Sequence, residues 1–384
     1  MARIEPQFKQ FQRAYGFDEV AIVPGDVTLN PDQTNIYFQL GPQTFTIPIL
    51  AAAMDAVVDP AFAVLFSQMG GLAVLNLEGV HARYEHPDEV LQKIVEASPA
   101  AVTGLLQKVY SEPIKEPLVA ERVQQVKSGG GVCAVAMTPT NTKRLSAVAA
   151  EAGADVVVVQ STVTTARHIS KSYKGLVFSE VRQALPLNIP IMVGNCVTYQ
   201  ATLELMRTGI DAVLVGVGPG AACTTREVLG VGVPQVTATV DCAAAREQYF
   251  KETGRYVSLV TDGGIRNGGD LCKAIVSGAD AVMLGSILAR AKEAPGRGYH
   301  WGMANPHPAL PRGTRIKVGT VASLQQVLFG PTSVTDGTQN LVGALRAAMG
   351  MCGAFTLRDM QKVQMVIAPS IKTEGKSYQM AGAV

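Results

Sequence analysis

Residues 190–216 read PIMVGNCVTYQATLELMRTGIDAVLVG. The stretch opens on one apolar run, Pro190–Gly194, and closes on another, Ala212–Gly216. Between them, Thr198–Arg207 reads as a helix, Gly209 suits the left-handed residue that ends one, and Asp211 leads into the next run. Apolar throughout, such runs match parallel strands buried on both faces, with the helix carrying the chain back to the starting end of the sheet. Further runs at Ile47–Ala53, Leu72–Leu75, Val132–Ala136, Asp155–Val159, Val257–Asp262 and Ala281–Gly285 bring the number to eight. Ala152-Gly153-Ala154-Asp155 and Ser277-Gly278-Ala279-Asp280 repeat the helix-closing punctuation, and Asn267–Ser277 and Asn340–Met349 read as helices. Eight such units predict an α/β fold of the TIM (β/α)8 barrel type. A doubly wound sheet is the rival, but no G-x-G-x-x-G follows the first strand.

The 384 residues suit a single barrel domain spanning 1–384, with an N-terminal extension to about 45 and a flexible tail over about 365–384. The polar, proline-interrupted stretch 108–128 reads as a connection with no room for an inserted domain. Lysine and arginine total 33 against 31 acids, a net charge of +2 that gives no reason to expect nucleic acid or an anionic membrane as partner. With 47% apolar and 17% charged residues the chain has a large core and not the composition of disorder. Six scattered cysteines without a C-x-x-C argue against a disulfide framework or a zinc site. With no signal-like N-terminus and no long uncharged apolar segment, a cytoplasmic location is the expectation. Gly375-Lys376-Ser377 fails as a phosphate loop because position 370 is serine where the pattern needs glycine.

Barrels of this kind place their chemistry at the strand C-termini, with phosphate on the loops after strands seven and eight. Those loops are Thr261-Asp262-Gly263-Gly264-Ile265-Arg266 and Met283-Leu284-Gly285-Ser286. They read either as an anion cradle of backbone N–H groups or as ordinary tight turns, and Asp262 either as acceptor for a ribose diol or as a helix cap. The loop after strand six, Gly216-Val217-Gly218-Pro219-Gly220-Ala221-Ala222-Cys223-Thr224-Thr225-Arg226, carries a thiol followed by two hydroxyls. Cys133, Cys242, Cys272 and Cys352 sit in apolar strand or helix contexts, whereas Cys223 on its loop is a candidate nucleophile.

These segments resemble the IMP dehydrogenase/GMP reductase family over nearly the whole chain, and within it a short dehydrogenase-related branch without CBS domains. The resemblance rests on 17–24, Ala52-Ala53-Met54-Asp55, Met69-Gly70-Gly71-Leu72, Gly194-Asn195-Cys196-Val197-Thr198, 216–226, 230–235, 262–266 and Val282-Met283-Leu284-Gly285-Ser286. It implies an NAD-dependent oxidation of IMP to XMP through a covalent thioimidate on Cys223, with Thr225 and Arg312 as further catalytic residues. It implies substrate contacts from Met54, Gly220, Asp262, Gly263, Gly264, Gly285, Ser286, His300, Gly302 and Met303. Asn195, Gln160, Ser161, Gly216 and Gly218 would face the cofactor. A potassium ion would sit on Gly218, Gly220 and Cys223 together with Glu374 and Gly375 of a neighbouring subunit, in a homotetramer.

Several positions depart from the family pattern. Ala52 and Ala221 replace phosphate-binding serines, and His300 a tyrosine; His300 either substitutes as a phosphate donor or is structural. Gln160 and Leu214 replace an acid and a cation, which suggests that a charge pair was exchanged as a unit. The long flap carrying the water-activating arginine–tyrosine pair is missing between Tyr299 and Gly313, which leaves Arg312, Arg315, His307 and Thr225 as candidates for that role. Arg312 also stands where a reductase has the glutamate that protonates a departing amine. A guanidinium does not, and this favours the dehydrogenase over GMP-to-IMP reduction with NADPH. A catalytically silent purine-nucleotide-binding barrel is the third alternative, disfavoured by the intact Cys223-Thr224-Thr225. Lys376 stands in for a glycine near the potassium position, either as a substitute cation or as a solvated lysine.

Overall fold

Each of the eight apolar runs becomes a parallel strand, its bounds within two residues of the expectation. They are β1 Ile49–Ala51, β2 Leu72–Asn76, β3 Ala134–Met137, β4 Val156–Gln160, β5 Ile191–Cys196, β6 Ala212–Val215, β7 Ser258–Asp262 and β8 Ala281–Leu284. The computed structural model describes residues 11–169, 175–303 and 313–368. Every strand residue is buried apart from Asp262 at the end of β7, as two covered faces demand. The strands pair in sequence order and β8 closes onto β1, a TIM barrel in a single α/β domain. Helices follow the strands on the outside, and the expected ones appear as Tyr199–Met206, Gly268–Val276 and Leu341–Met351. Among the described residues no inserted domain interrupts the barrel.

Three acids do the same work at the N-terminal end. Asp155, Asp211 and Asp280 each stand two residues after a left-handed glycine that closes a helix. Each carboxylate accepts, at 2.8 Å, the backbone N–H at the start of the neighbouring strand: that of Cys133, of Ile191 and of Leu259. Each also pairs with a cation: Lys127 with Asp155, Arg182 and Arg255 with Asp211, and Arg246 with Asp280. The glycine-acid punctuation thus ties adjacent strands where their ladder begins. A hairpin of Phe38–Leu40 and Gln43–Phe45 lies at this same end, its Gln39 carbonyl accepting the Ser258 hydroxyl at 3.2 Å.

The connection expected over 108–128 is mostly helical: Val102–Ser111 and Glu116–Ser128 enclose a short turn. Pro117 sits in the first turn of the second helix, where its missing N–H breaks no bond, so it starts a helix and does not interrupt one. The tail begins later than 365, because Met365–Ile367 pairs antiparallel with Val20–Ile22. Residues 369–384 lie outside the described chain.

Replacing Asp280 by alanine should lower unfolding stability by about 2–3 kcal/mol, since the buried Leu259 amide loses its acceptor and the Arg246 guanidinium keeps only the half-exposed Glu247 as its counter-ion. Denaturant titration of the variant checks this; a loss under about 1 kcal/mol would show that the bond to the strand contributes little.

Candidate active site

At the opposite end the strand C-termini surround a cavity of about 780 Å³. Its walls come from the loops that the sequence singled out. Gly216 (φ +150°) allows the β6 loop to run against the β7 loop, since a Cβ there would lie 2.3 Å from the Asp262 carbonyl oxygen. Arg226 clips the glycine loop from below, donating to the Val217 carbonyl at 3.2 Å and to the Val233 carbonyl at 2.7 Å. A turn from the Gly220 carbonyl to the Cys223 amide (3.0 Å) then presents the thiol at the cavity wall. The half-buried Cys223 thiol donates to the Thr225 hydroxyl at 3.1 Å, and Thr225 is itself buried. Cys133 and Cys272 are the contrast: buried, their thiols pushed up to about 12 by desolvation and therefore inert.

The Asp262 carboxylate closes the β7 end of the site. One of its oxygens accepts both the Gln160 amide (2.9 Å) and the Asn195 amide (2.8 Å), and Gln160 also donates to the Asn195 side chain at 3.0 Å. Burial outweighs these hydrogen bonds and raises the carboxyl to about 6. The strand registers put Gln160, Gly194 and Leu214 in one row across β4, β5 and β6. The two positions expected to have lost a charge pair are thus one strand apart, with Leu214 fully buried.

On the β8 side, Ser286 and His300 meet at 2.8 Å through the ring Nε2. Burial pushes the imidazole down to about 4, so His300 is neutral at ordinary pH, and its Nδ1 has no partner among the described residues. Met54 crowds Gly285, where a Cβ would lie 2.8 Å from the methionine sulfur, and the Ala52 and Ala221 methyls complete this wall.

Apart from Arg315, the site residues expected from the sequence that lie within the described chain line this one cavity. Met54, Gly220, Cys223, Thr225, Asp262, Gly263, Gly264, Gly285, Ser286, His300, Gly302 and Met303 do so, as do Gln160, Ser161, Asn195, Gly216 and Gly218. Arg312, His307, Glu374, Gly375 and Lys376 lie outside the described residues. Arg315 is a correction: it donates to the carbonyls of Ile94 and Val95, stacks 4.9 Å from the Tyr299 ring centre and does not line the cavity. Sequence reasoning passed over Gln235, whose amide nitrogen reaches the carbonyls of Val215, Asp262 and Gly263 within 3.0–3.2 Å and pins two loops together. It also passed over Arg290 on the cavity wall. A single polar residue in a helix carries no local signal of such a contact. Among the described residues no cluster of three metal-ligating side chains occurs.

A sequence model of the IMP dehydrogenase / GMP reductase domain matches residues 14–304. The chain belongs to this family. It is similar to an uncharacterized oxidoreductase of Mycolicibacterium smegmatis, 38% identical over 93% of this chain and 97% of that one. An inosine-5'-monophosphate dehydrogenase of Methanocaldococcus jannaschii is 26% identical, with 96% of each chain covered. The crystal structure of an IMP dehydrogenase/GMP reductase-like protein from Corynebacterium glutamicum superposes with a TM-score of 0.89 at 35% identity, covering 94% of this chain and 96% of that one. The family relationship and the relatives support an oxidoreductase.

The raised Asp262 carboxyl has a thermodynamic consequence. Its protonated form is favoured in the fold, so the stabilising contribution is complete below about pH 4 and disappears as pH rises through about 6. Wild-type stability relative to Asp262→Asn should therefore fall by about 1–3 kcal/mol between pH 4 and pH 7, read by denaturant titration at several pH values. A flat difference would mean that the carboxylate is already charged at pH 4.

Proposed function

We propose that this family member is an NAD-dependent IMP dehydrogenase that oxidises IMP to XMP. The observation that carries the reading is the Cys223 thiol, hydrogen-bonded to Thr225 at 3.1 Å on the wall of a cavity that Asp262 also lines. At about 780 Å³ the cavity is in the upper range of small-molecule sites, large enough for a nucleotide with room beside it.

In this reading Asp262 accepts the ribose hydroxyls. Gly263, Gly264, Gly285, Ser286 and His300 hold the phosphate, and Met54, Gly220, Gly302 and Met303 frame the sugar and base. Cys223 forms a carbon–sulfur bond at C2 of the purine as its proton leaves. That addition makes C2 tetrahedral and electron-rich, so a hydride departs from it with its electron pair and leaves a thioimidate. Water then adds to C2, the carbon–sulfur bond breaks, and XMP and the free thiol result. Thr225 hydrogen-bonds near the reacting centre, and Thr225 and Arg312 are candidates for orienting the attacking water.

Asn195, Gln160, Ser161, Gly216 and Gly218 would hold NAD, which when bound supplies the hydride acceptor. The buried Gln160 Oε1 has no donor among the described residues and suits a carboxamide N–H. Potassium on the carbonyls of Gly218, Gly220 and Cys223 belongs to the same reading. The Gly220 carbonyl already accepts the Cys223 amide at 3.0 Å, leaving one lone pair for a cation. A homotetramer in the cytoplasm is the expected setting. No described helix is long and apolar enough to cross a membrane.

Among the described cavity residues Asp262 is the only carboxylate, and both amides engage it. A reductase needs an acid to protonate departing ammonia, so this supports oxidation. Incubation with IMP and NAD, and separately with GMP and NADPH, followed by nicotinamide absorbance, tests the reading. NADH formation from IMP is expected. NADPH loss with GMP would replace the reading by GMP reduction, and inactivity in both would favour a silent nucleotide-binding barrel. Cys223→Ala should abolish turnover yet keep IMP affinity within about threefold, because the ribose and phosphate contacts lie on other loops. Appreciable turnover in that variant would refute the covalent route.

A further inference from the structure

The charges lining the cavity do not balance an anionic ligand in the way its polar contacts suggest. Of the described residues on the wall, Asp262, Arg266, Arg290 and His300 are the ionisable ones besides Cys223. Arg266 is engaged: it is bidentate to Asp18 at 2.8 and 2.9 Å and bonds Asp270 at 2.8 Å. His300 is neutral and already bonded to Ser286. Arg290 is different. Its Nε is buried without a hydrogen-bond partner, and among the described residues no carboxylate lies within ion-pair distance of its guanidinium.

Local geometry aims this side chain at the phosphate end. Gly285–Arg290 form a helical turn, with the Ala289 amide on the Gly285 carbonyl (2.9 Å) and the Arg290 amide on the Ile287 carbonyl (3.2 Å). Arg290 is four residues after Ser286, so the two side chains share a face of that turn, and a helical side chain leans back toward the N-terminal end. The turn also packs against Tyr299–His300. Ser286, His300 and Arg290 therefore converge on one part of the cavity wall.

We infer that Arg290 is the phosphate-binding cation of this chain, supplying by charge the recognition that Ala52 and Ala221 lack by having no hydroxyl. The inference rests on the reading above that the cavity takes a purine mononucleotide. Among the described residues, a dianion placed against neutral Ser286 and His300 would otherwise have no uncommitted countercharge on the cavity wall, whereas a guanidinium offers planar, bidentate donors to phosphate. The nearest competitor for Arg290 is Asp336: burial opposes its charge, whereas hydrogen bonds from Thr338 and, more weakly, the positive charge of Arg290 at a distance favour it.

Calorimetric titration of the full chain at neutral pH with IMP and with inosine tests the assignment. Arg290→Gln should weaken IMP binding by about 10- to 100-fold and leave inosine binding unchanged. Arg290→Lys should recover most of the IMP affinity, and Asp336→Asn should leave it intact. IMP binding by Arg290→Gln equal to wild type would overturn the inference and leave the mononucleotide reading standing. Equal weakening of IMP and inosine would overturn it by revealing a structural role, as would an Asp336→Asn loss that matched Arg290→Gln. Failure of the wild-type chain to bind IMP would bring down the mononucleotide reading and this inference with it.

Discussion

An all-parallel barrel gives every strand the same polarity, and the rest of this molecule follows from that constraint. Closure through β8 and β1 leaves no sheet edge, so backbone groups go unpaired only at the two rims. The rims are chemically opposite. At the N-terminal rim, strand N–H groups are met by Asp155, Asp211 and Asp280, each neutralised by a lysine or arginine. At the C-terminal rim, loops that are rich in glycine let backbone and small side chains enclose a cavity. One end is tied shut by ion pairs and the other is left open for a ligand.

The cavity is economical with charge. Asp262 is held by two amides that come from adjacent strands, and this geometry replaces the ionic contacts that an acid at position 160 would otherwise make. Neutral Gln160 supplies a donor to Asp262, whereas an ionised acid in its place would be an acceptor and would repel it. Leu214 then needs no partner and packs into the core. The same economy extends to the loops, where Gln235 joins the ends of β6 and β7 through three carbonyls and so couples the position of Cys223 to that of Asp262.

Strands were the most legible part of the sequence, because residues buried on both faces must be apolar throughout and little else in a chain reads that way. Cys223, Asp262 and Ser286 were legible because each sits where an apolar run gives way to glycine. The helices within 108–128 are not legible in the sequence because proline is disruptive inside a helix and harmless in its first turn, and composition does not say which position Pro117 occupies. The strand Met365–Ile367 is not legible locally because its partner, Val20–Ile22, is more than three hundred residues away. Arg315 was a candidate by its chemistry alone, and its contacts with Ile94 and Val95 turn it into a structural clamp.

The sequence by itself determined the barrel, the order of its strands and the loops that carry a thiol, a carboxylate and glycine cradles, since these depend on local composition and on the periodicity of burial. Only the tertiary structure decided which cation remains unpaired at the cavity wall, and that Gln160, Asn195 and Asp262 form one network. Pairing depends on distances between residues far apart in the chain: Gln160 and Asp262 are 102 positions apart and hydrogen-bonded at 2.9 Å. Arg266 and Arg290 look alike in the sequence, but folding brings Asp18 to the first and leaves the second facing the cavity with no carboxylate of the described chain in ion-pair range.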